Sequence, residues 1–129
     1  MRVIEADPTL ANRPELGSGV SQRAHALKQR LVSELSLAEL AFCLRQGIAV
    51  GAVAQRAAAA LATQPLVQAE AYPGDLLSSL LHAAQNGSAP AAVVAELWDI
   101  CSAALAGAES IQESVVPAAR AFVGQRHGT

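Results

Sequence analysis

The chain has few aromatic residues, little charge and no long uninterrupted apolar run. Its 129 residues include one tryptophan, one tyrosine and two phenylalanines, and charged residues make up only 16% of them. Hydrophobic residues reach 52%, which argues against the polar, highly charged composition of a disordered chain. No stretch reaches the ~20 apolar residues that a membrane-spanning helix needs, and residues 1–8 contain no apolar run like that of a signal peptide. We therefore expect a cytoplasmic protein with no membrane partner.

Alanine is the residue that the chain has in abundance, with 29 copies. It has the highest helix propensity, and its small side chain lets helices approach closely, whereas the β-branched and aromatic residues that favour strands are sparse. A chain of this length can bury one hydrophobic core but is too short for two ordinary domains. The composition predicts an all-α fold, a single-domain bundle of about five to six short helices.

Three segments are predicted along the chain. Residues 1–17 contain prolines and mixed charges without periodicity, so we expect an extended lead-in that packs on the domain or frays. Apolar residues recur at three- and four-residue spacing over residues 18–125, which predicts the helical domain. Residues 126–129 are predicted to form a tail.

The first two helices of the domain have different kinds of boundary signal. An amphipathic helix is predicted from Val20, with Leu31 and Leu35 on its apolar face. The next helix begins at Ser36, because the sequence SLAE has the form of a capping box. It is expected to end near Gly47, since glycine adopts the left-handed conformation common after a helix end.

Prolines delimit the next two helices. A helix over residues 50–61 cannot continue through Pro65. Pro73 is placed in the first turn of the following helix, where no amide partner is lost. Asp75 is expected at the positive end of that helix dipole and on the polar outer stripe, together with Ser79.

The last clearly periodic helix covers residues 91–105, and Ser88 is its predicted cap. Trp98 lies beside its apolar stripe and is either an anchor at the edge of the core or an interface hot spot. Beyond Gly107 the pattern allows a kinked helix or two short ones, because Pro117 would interrupt a continuous helix.

Residues with the spacing needed for catalysis or metal binding are not found in the sequence. Cys43 and Cys101 stand alone in apolar helical patterns, which predicts two buried thiols and no disulfide. His25, His82 and His127 are far apart, and none has a second ligand at helical spacing. There is no glycine-rich phosphate loop and no nucleophile elbow. We expect no enzymatic activity, no cofactor and no metal.

Charges of opposite sign are segregated along the chain. Residues 1–56 carry a net charge of +2, whereas residues 57–119 have no lysine or arginine and carry six acids. A solvated exterior usually mixes the two signs, so this pattern favours an acidic face, with an ordinary solvated surface as the alternative. The six acids are Glu70, Asp75, Glu96, Asp99, Glu109 and Glu113.

An acidic face would attract a basic protein, and steering by charge would speed the encounter. The net charge of −2 gives no general attraction to phosphate backbones, so nucleic acid is not expected as a partner. Nucleases are candidate partners, because a protein that binds phosphodiester chains has lysine and arginine in its cleft. An inhibitor can place carboxylates where the phosphates would lie.

Four short motifs occur in a characteristic order: RAHAL from Arg23, SLAEL from Ser36, QGI from Gln46 and EAYPGDLL from Glu70. Over roughly residues 20–81 the chain resembles a family of immunity proteins from bacterial contact-dependent growth inhibition (CDI) systems. The resemblance implies a small helical cytoplasmic protein that binds and neutralises the toxic C-terminal domain of a cognate surface effector. Those toxins are often nucleases, commonly acting on tRNA.

The part of the chain after Leu81 does not take part in this resemblance, and immunity proteins vary most where they contact their own toxin. The helix over residues 91–105 is therefore our first candidate for the toxin-facing surface. The YPGD segment is interpreted as scaffold rather than contact. A helical adaptor or regulatory subunit unrelated to toxins is the alternative. We expect Glu96, Asp99, Glu109 and Glu113 to contact basic groups of the toxin, with Glu70 and Asp75 as secondary contributors.

Overall fold

The described part of the computed structural model, residues 1–9 and 19–106 together with Ala119 and Phe122, is an all-α single domain. It contains isolated β-bridges but no strand. This confirms the predicted fold class. The six helices are α1 (Val3–Ala6), α2 (Gly19–Leu27), α3 (Leu37–Gln46), α4 (Val50–Thr63), α5 (Asp75–Gln85) and α6 (Ala91–Ala106).

Leucines of α3 and α5 form the centre of the core, and α4 packs against both helices. The inner face of α4 is made largely of alanine, and Ala54, Ala57 and Ala58 have no exposed surface. Helices can approach closely along such a face, which explains how a chain so poor in aromatic residues still closes its core. α6 packs on α4. The buried leucines are Leu40 and Leu44 of α3 and Leu76, Leu77, Leu80 and Leu81 of α5.

The first predicted helix is shorter than its apolar pattern suggested. α2 ends at Leu27, and Leu31 instead forms an isolated antiparallel bridge with Arg2, followed by a 3-10 turn over Val32–Glu34. The lead-in causes this difference, because the amide of Val3 donates to the carbonyl of Arg30 over 2.9 Å. Val3 has no exposed surface, so its burial favours this pairing over a longer helix.

The boundaries of α3 agree with the prediction from local sequence. The Ser36 hydroxyl accepts a hydrogen bond from the amide of Glu39 over 3.1 Å, and the Glu39 carboxylate accepts one from the amide of Ser36 over 2.8 Å. Gly47 ends the helix with a φ of 70°, in the left-handed region. Both ends therefore form as the capping box and the glycine predicted.

Replacing Ser36 with alanine is expected to lower the free energy of unfolding by about 1 kcal/mol, because an amide of the first turn loses its partner. Urea denaturation followed by circular dichroism measures the change. Ser33→Ala is the matched control, since Ser33 is exposed and no contact of its side chain is described. Equal losses in the two variants would contradict a specific capping contribution.

The start of α5 differs from the prediction. Pro73 lies before the helix, in a bridge with Gln68, and Gly74 with a φ of 89° precedes the first helical residue, Asp75. Asp75 and Ser79 were placed on the outer stripe, but only 6% and 0% of their surfaces are exposed. The reason is that the preceding loop folds back over this side of the helix and covers it.

Ser88 contacts α5 instead of capping α6. Its hydroxyl donates to the carbonyl of Ala83 over 3.1 Å, which completes the end of α5, and α6 begins only at Ala91. The predicted cap for the last helix is therefore wrong.

Trp98 is half-buried on α6. The two alternatives for residues 107–117, a kinked helix or two short helices, lie outside the described residues.

The two cysteines are buried and free, as predicted from their apolar surroundings. Burial raises the pKa of Cys43 to about 11 and that of Cys101 to about 12, because the thiolate would lose its hydration. Both side chains are protonated at neutral pH and act as small hydrophobic residues.

Candidate functional site

The structure places the predicted acidic residues in two regions. Glu96 and Asp99 are exposed on α6, and Glu70 is exposed in the loop before α5. Asp75, at the first position of α5, is buried. Glu109 and Glu113 lie outside the described residues. The structure thus brings Glu96 and Asp99 together on α6. Glu70 and Asp75 lie together at the start of α5.

Glu96 and Asp99 line a groove of about 420 Å³ between α6 and the end of α4. We call it the α6 groove. An adjoining depression of about 260 Å³ continues it along residues 64–67. Apart from the two carboxylates, the described residues that line the α6 groove are apolar: Ala62, Pro65, Ile100 and Ala103.

The two carboxylates of the α6 groove have no cationic partner among the described residues. Within residues 1–9 and 19–106, no lysine or arginine lines the groove, and neither Glu96 nor Asp99 forms an ion pair. Acidic groups without counter-charges create a local negative potential. An apolar surface beside them can accommodate the aliphatic stem of a lysine or arginine. The groove therefore has the chemistry to bind a basic side chain.

Asp75 holds together the loop that enters α5. Its Oδ1 accepts a hydrogen bond from the amide of Ala69 over 2.6 Å. Its Oδ2 accepts two more from the amides of Glu70 and Ala71, each over 2.8 Å. We call residues 69–75 the Asp75 loop. Both carboxylate oxygens accept hydrogen bonds from the protein's own backbone, which agrees with the interpretation of the YPGD segment as scaffold.

The pKa of Asp75 is set by two opposing effects. Burial raises it, but hydrogen bonds from the amides of Ala69, Ala71, Glu70 and Tyr72 outweigh burial and hold the pKa below its usual range. The charged form is therefore the one that the folded protein stabilises. Because amides donate to it from several successive residues, this charge also fixes the path of the loop.

A second concave surface, of about 390 Å³, lies between α3 and the Asp75 loop. We call it the α3 cleft. Its walls combine charged groups of both signs with two aromatic rings, a neutral hydroxyl and an amide. The charged and aromatic lining residues are Arg23, Arg45, Glu70, Asp75, Phe42 and Tyr72.

The two arginines of the α3 cleft have different partners. The guanidinium carbon of Arg23 lies 4.6 Å from the centroid of the Phe42 ring, and its Nη2 lies 3.7 Å from Oε2 of Glu70. Nε of Arg45 donates instead to Oγ of Ser79 over 2.9 Å. Arg23 thus has an acidic partner, whereas the described partner of Arg45 is a neutral hydroxyl.

The α3 cleft was not found by sequence reasoning. Arg45 directly precedes the QGI motif, which is the nearest signal to it in the sequence. Its partner Ser79 is 34 residues away in the sequence. The spacing of apolar residues in α5 predicts an exposed position for Ser79. Spacing within one helix cannot reveal a contact between two helices.

Residues 1–9 and 19–106 have neither a metal-binding cluster nor a membrane-spanning helix. No group of three or more histidine, cysteine, aspartate or glutamate side chains there is arranged to hold a metal ion. No helix in that part of the chain is long and apolar enough to cross a membrane.

The model of one protein family, described as CDI immunity proteins, matches residues 6–87. The chain belongs to this family. The match covers more than half of the chain and confirms the resemblance drawn from the four motifs. No curated protein and no solved structure matches the chain significantly.

As a CDI immunity protein, the chain neutralises a toxin of a CDI system, and its family is not catalytic. The alternative of an adaptor unrelated to toxins has no support in this match. The matched residues 6–87 include the Asp75 loop and the α3 cleft. Glu96 and Asp99 of the α6 groove lie beyond them. The immunity protein therefore has one candidate surface inside the family match and one that is largely outside it.

Proposed function

We propose that this immunity protein binds its toxin through the α6 groove, with Glu96 and Asp99 contacting basic side chains. The observation that carries the proposal is the pair of exposed carboxylates beside an apolar groove, without a described counter-ion. A toxin arginine or lysine would place its stem against the apolar wall and its charged end between the carboxylates.

We further propose that the toxin is a nuclease, such as one that acts on tRNA. A nuclease needs lysine and arginine in its cleft to hold the phosphate backbone, and these groups complement the α6 groove. The immunity protein then acts in the cytoplasm by occupying the toxin, without catalysis and without a cofactor. Its carboxylates take the place of the phosphates of the substrate.

The other acidic residues extend the same proposal. We propose that Glu109 and Glu113 also contact basic groups of the toxin, as the sequence suggested. Glu70 is a secondary contributor through its exposed carboxylate. Asp75 contributes indirectly, because it holds the backbone of the loop that carries Glu70.

Location outside the family match supports this role for α6. An immunity protein must discriminate its own toxin from others, and discrimination requires differences in contacting residues. The match to the family model ends at residue 87, so α6 lies in the part of the chain that the shared family pattern does not cover. Residues 96 and 99 are thus well placed to give a specific contact.

Co-expression tests the proposed function. The C-terminal domain of the effector encoded next to the immunity gene is expressed with and without this protein, and survival, tRNA integrity and co-purification are scored. We expect survival, intact tRNA and an equimolar complex, while a toxin domain from another CDI system is not neutralised. Intact tRNA in dying, unprotected cells would contradict action on tRNA, and intact DNA and RNA together would contradict the nuclease assignment. Death despite co-expression would contradict neutralisation of this toxin.

A further inference from the structure

We propose that the α3 cleft is a second toxin-binding site, in which Arg45 binds a carboxylate of the toxin. The proposal rests on the proposed function only in that the partner is the same toxin. Its surface and the sign of its charge are different from those of the α6 groove. The contact between the two proteins would then be bipolar, with a basic toxin group at α6 and an acidic one at α3.

The charges around the cleft point to an anionic ligand. Glu70 pairs with Arg23, and both carboxylate oxygens of Asp75 accept hydrogen bonds from backbone amides. Neither acid pairs with Arg45, which forms no ion pair with any carboxylate in the described part of the chain. An exposed guanidinium without an ion-pair partner can bind an acidic group of a partner protein.

The guanidinium of Arg45 is also held in one orientation. Its Nε donates to Oγ of Ser79, and that hydroxyl donates in turn to the carbonyl of Asp75 over 3.0 Å. Ser79 is completely buried, so this anchor belongs to the packed interior. The two Nη groups remain available, and their planar fork matches the two oxygens of a carboxylate. Binding then loses less side-chain freedom than it would at an ordinary surface arginine.

Neutral groups of the cleft can add hydrogen bonds to the same ligand. The Tyr72 hydroxyl and the Gln46 side-chain amide both line the cleft, and neither has a described hydrogen bond. Each can donate to a carboxylate oxygen. Beside the ion pair of Arg23 and Glu70, the cleft thus combines the anchored guanidinium of Arg45 with two neutral donors, which fits an aspartate or glutamate side chain.

One toxin domain can reach both sites. The loop between α4 and α5 borders the α6 groove at Pro65 and the α3 cleft at Glu70. Five residues of fully extended chain span at most about 18 Å, so these two points lie within that distance. A typical protein interface covers about 800 Å² on each partner, which is wide enough to include both.

Arg45→Gln tests the inference in the full-length protein, with binding to the purified toxin domain measured by surface plasmon resonance. We expect the dissociation constant to rise by about 10- to 100-fold, mostly through faster dissociation. Arg45→Lys keeps the positive charge but not the planar guanidinium, so the loss of affinity should be smaller than in Arg45→Gln. Ser79→Ala keeps the net charge and releases the guanidinium, and should weaken binding by a few-fold. Arg2→Gln, an exposed arginine outside the cleft, is the control for lost positive charge.

The outcomes separate this inference from the α6 proposal. Unchanged affinity in an Arg45→Gln variant that unfolds at the wild-type temperature overturns the α3 site. Loss of binding in Arg45→Gln, with normal binding after charge reversal at Glu96 and Asp99, supports the α3 site and contradicts the α6 groove. A toxin carboxylate whose removal has no additional effect in Arg45→Gln identifies the ligand.

Discussion

Replacement of Asp75 by alanine is expected to lower the free energy of unfolding by about 3 kcal/mol. The carboxylate accepts hydrogen bonds from the amides of Ala69, Glu70 and Ala71, and alanine leaves these donors without that partner. Hydrogen bonds to a charged acceptor are stronger than those between neutral groups, which makes this single side chain important for the whole loop. Urea denaturation followed by circular dichroism measures the loss.

Asp99→Ala is the matched control for this change. It removes a carboxylate from an exposed helix position, so its effect should stay within about 0.5 kcal/mol. Asp75→Asn adds a second comparison, because it keeps the shape and one acceptor oxygen but turns a donor group toward the amides. We expect it to fall between the wild type and Asp75→Ala. A loss no greater than that of Asp99→Ala would contradict the structural role of Asp75.

The same side chain makes stability depend on pH. Its pKa is lowered in the folded protein, so the unfolded chain binds a proton first as the pH falls. Its contribution is complete above the pKa of an unfolded aspartate, about 3.9, and is lost as the pH falls through the lower folded value. Below pH of about 4 the stability difference between wild type and Asp75→Asn should therefore shrink. A constant difference across this range would contradict the lowered pKa.

Charge reversal at the α6 groove is expected to have the largest effect on toxin binding. In the double variant Glu96→Lys, Asp99→Lys, repulsion replaces attraction at the proposed contact with basic toxin groups. We expect the association rate to fall at least about tenfold and the affinity by about 100-fold. Salt should slow association less than it does for the wild type, because it then screens repulsion at this contact instead of attraction. Stopped-flow mixing at several salt concentrations measures both changes.

A control with the same change in net charge is Glu5→Lys, Glu34→Lys. Both of these glutamates are exposed, and neither lines the α6 groove. We expect only a small change in association for this control, because the altered charges lie away from the proposed contact. Equal slowing in both double variants would mean that net charge matters and the groove does not. Unchanged kinetics at Glu96 and Asp99 would remove these two residues from the interface.

Local signals in the sequence were sufficient for helix type and for several helix ends. The capping box at Ser36 and the left-handed Gly47 need only neighbouring residues, and both formed as predicted. The alanine-rich composition and the apolar periodicity also predicted the helical fold, because neither signal depends on contacts between distant segments. Alanine favours helix wherever it lies, and periodicity depends on one helix at a time.

Predictions failed where a distant segment supplied the decisive contact. The first helix should have continued to Leu35, but the amide of Val3 binds the carbonyl of Arg30 and the chain leaves the helix after Leu27. Ser79 was expected on the outside, but the guanidinium of Arg45 and the folded-back loop cover it. Neither partner is within one helical turn in sequence, so no periodicity could indicate it.

By itself the sequence determined the helical class, the segregation of charge and the relation to CDI immunity proteins. These properties depend on composition, neighbouring residues and motif order, which are all present before the chain folds. Only the tertiary structure decided that Asp75 is held inside the protein and that Arg45 lines a cleft, whereas the helical pattern had already placed Glu96 and Asp99 on an exposed face. Burial and pairing of a charge depend on which distant segments pack around it, because those segments supply the hydrogen bonds that replace water.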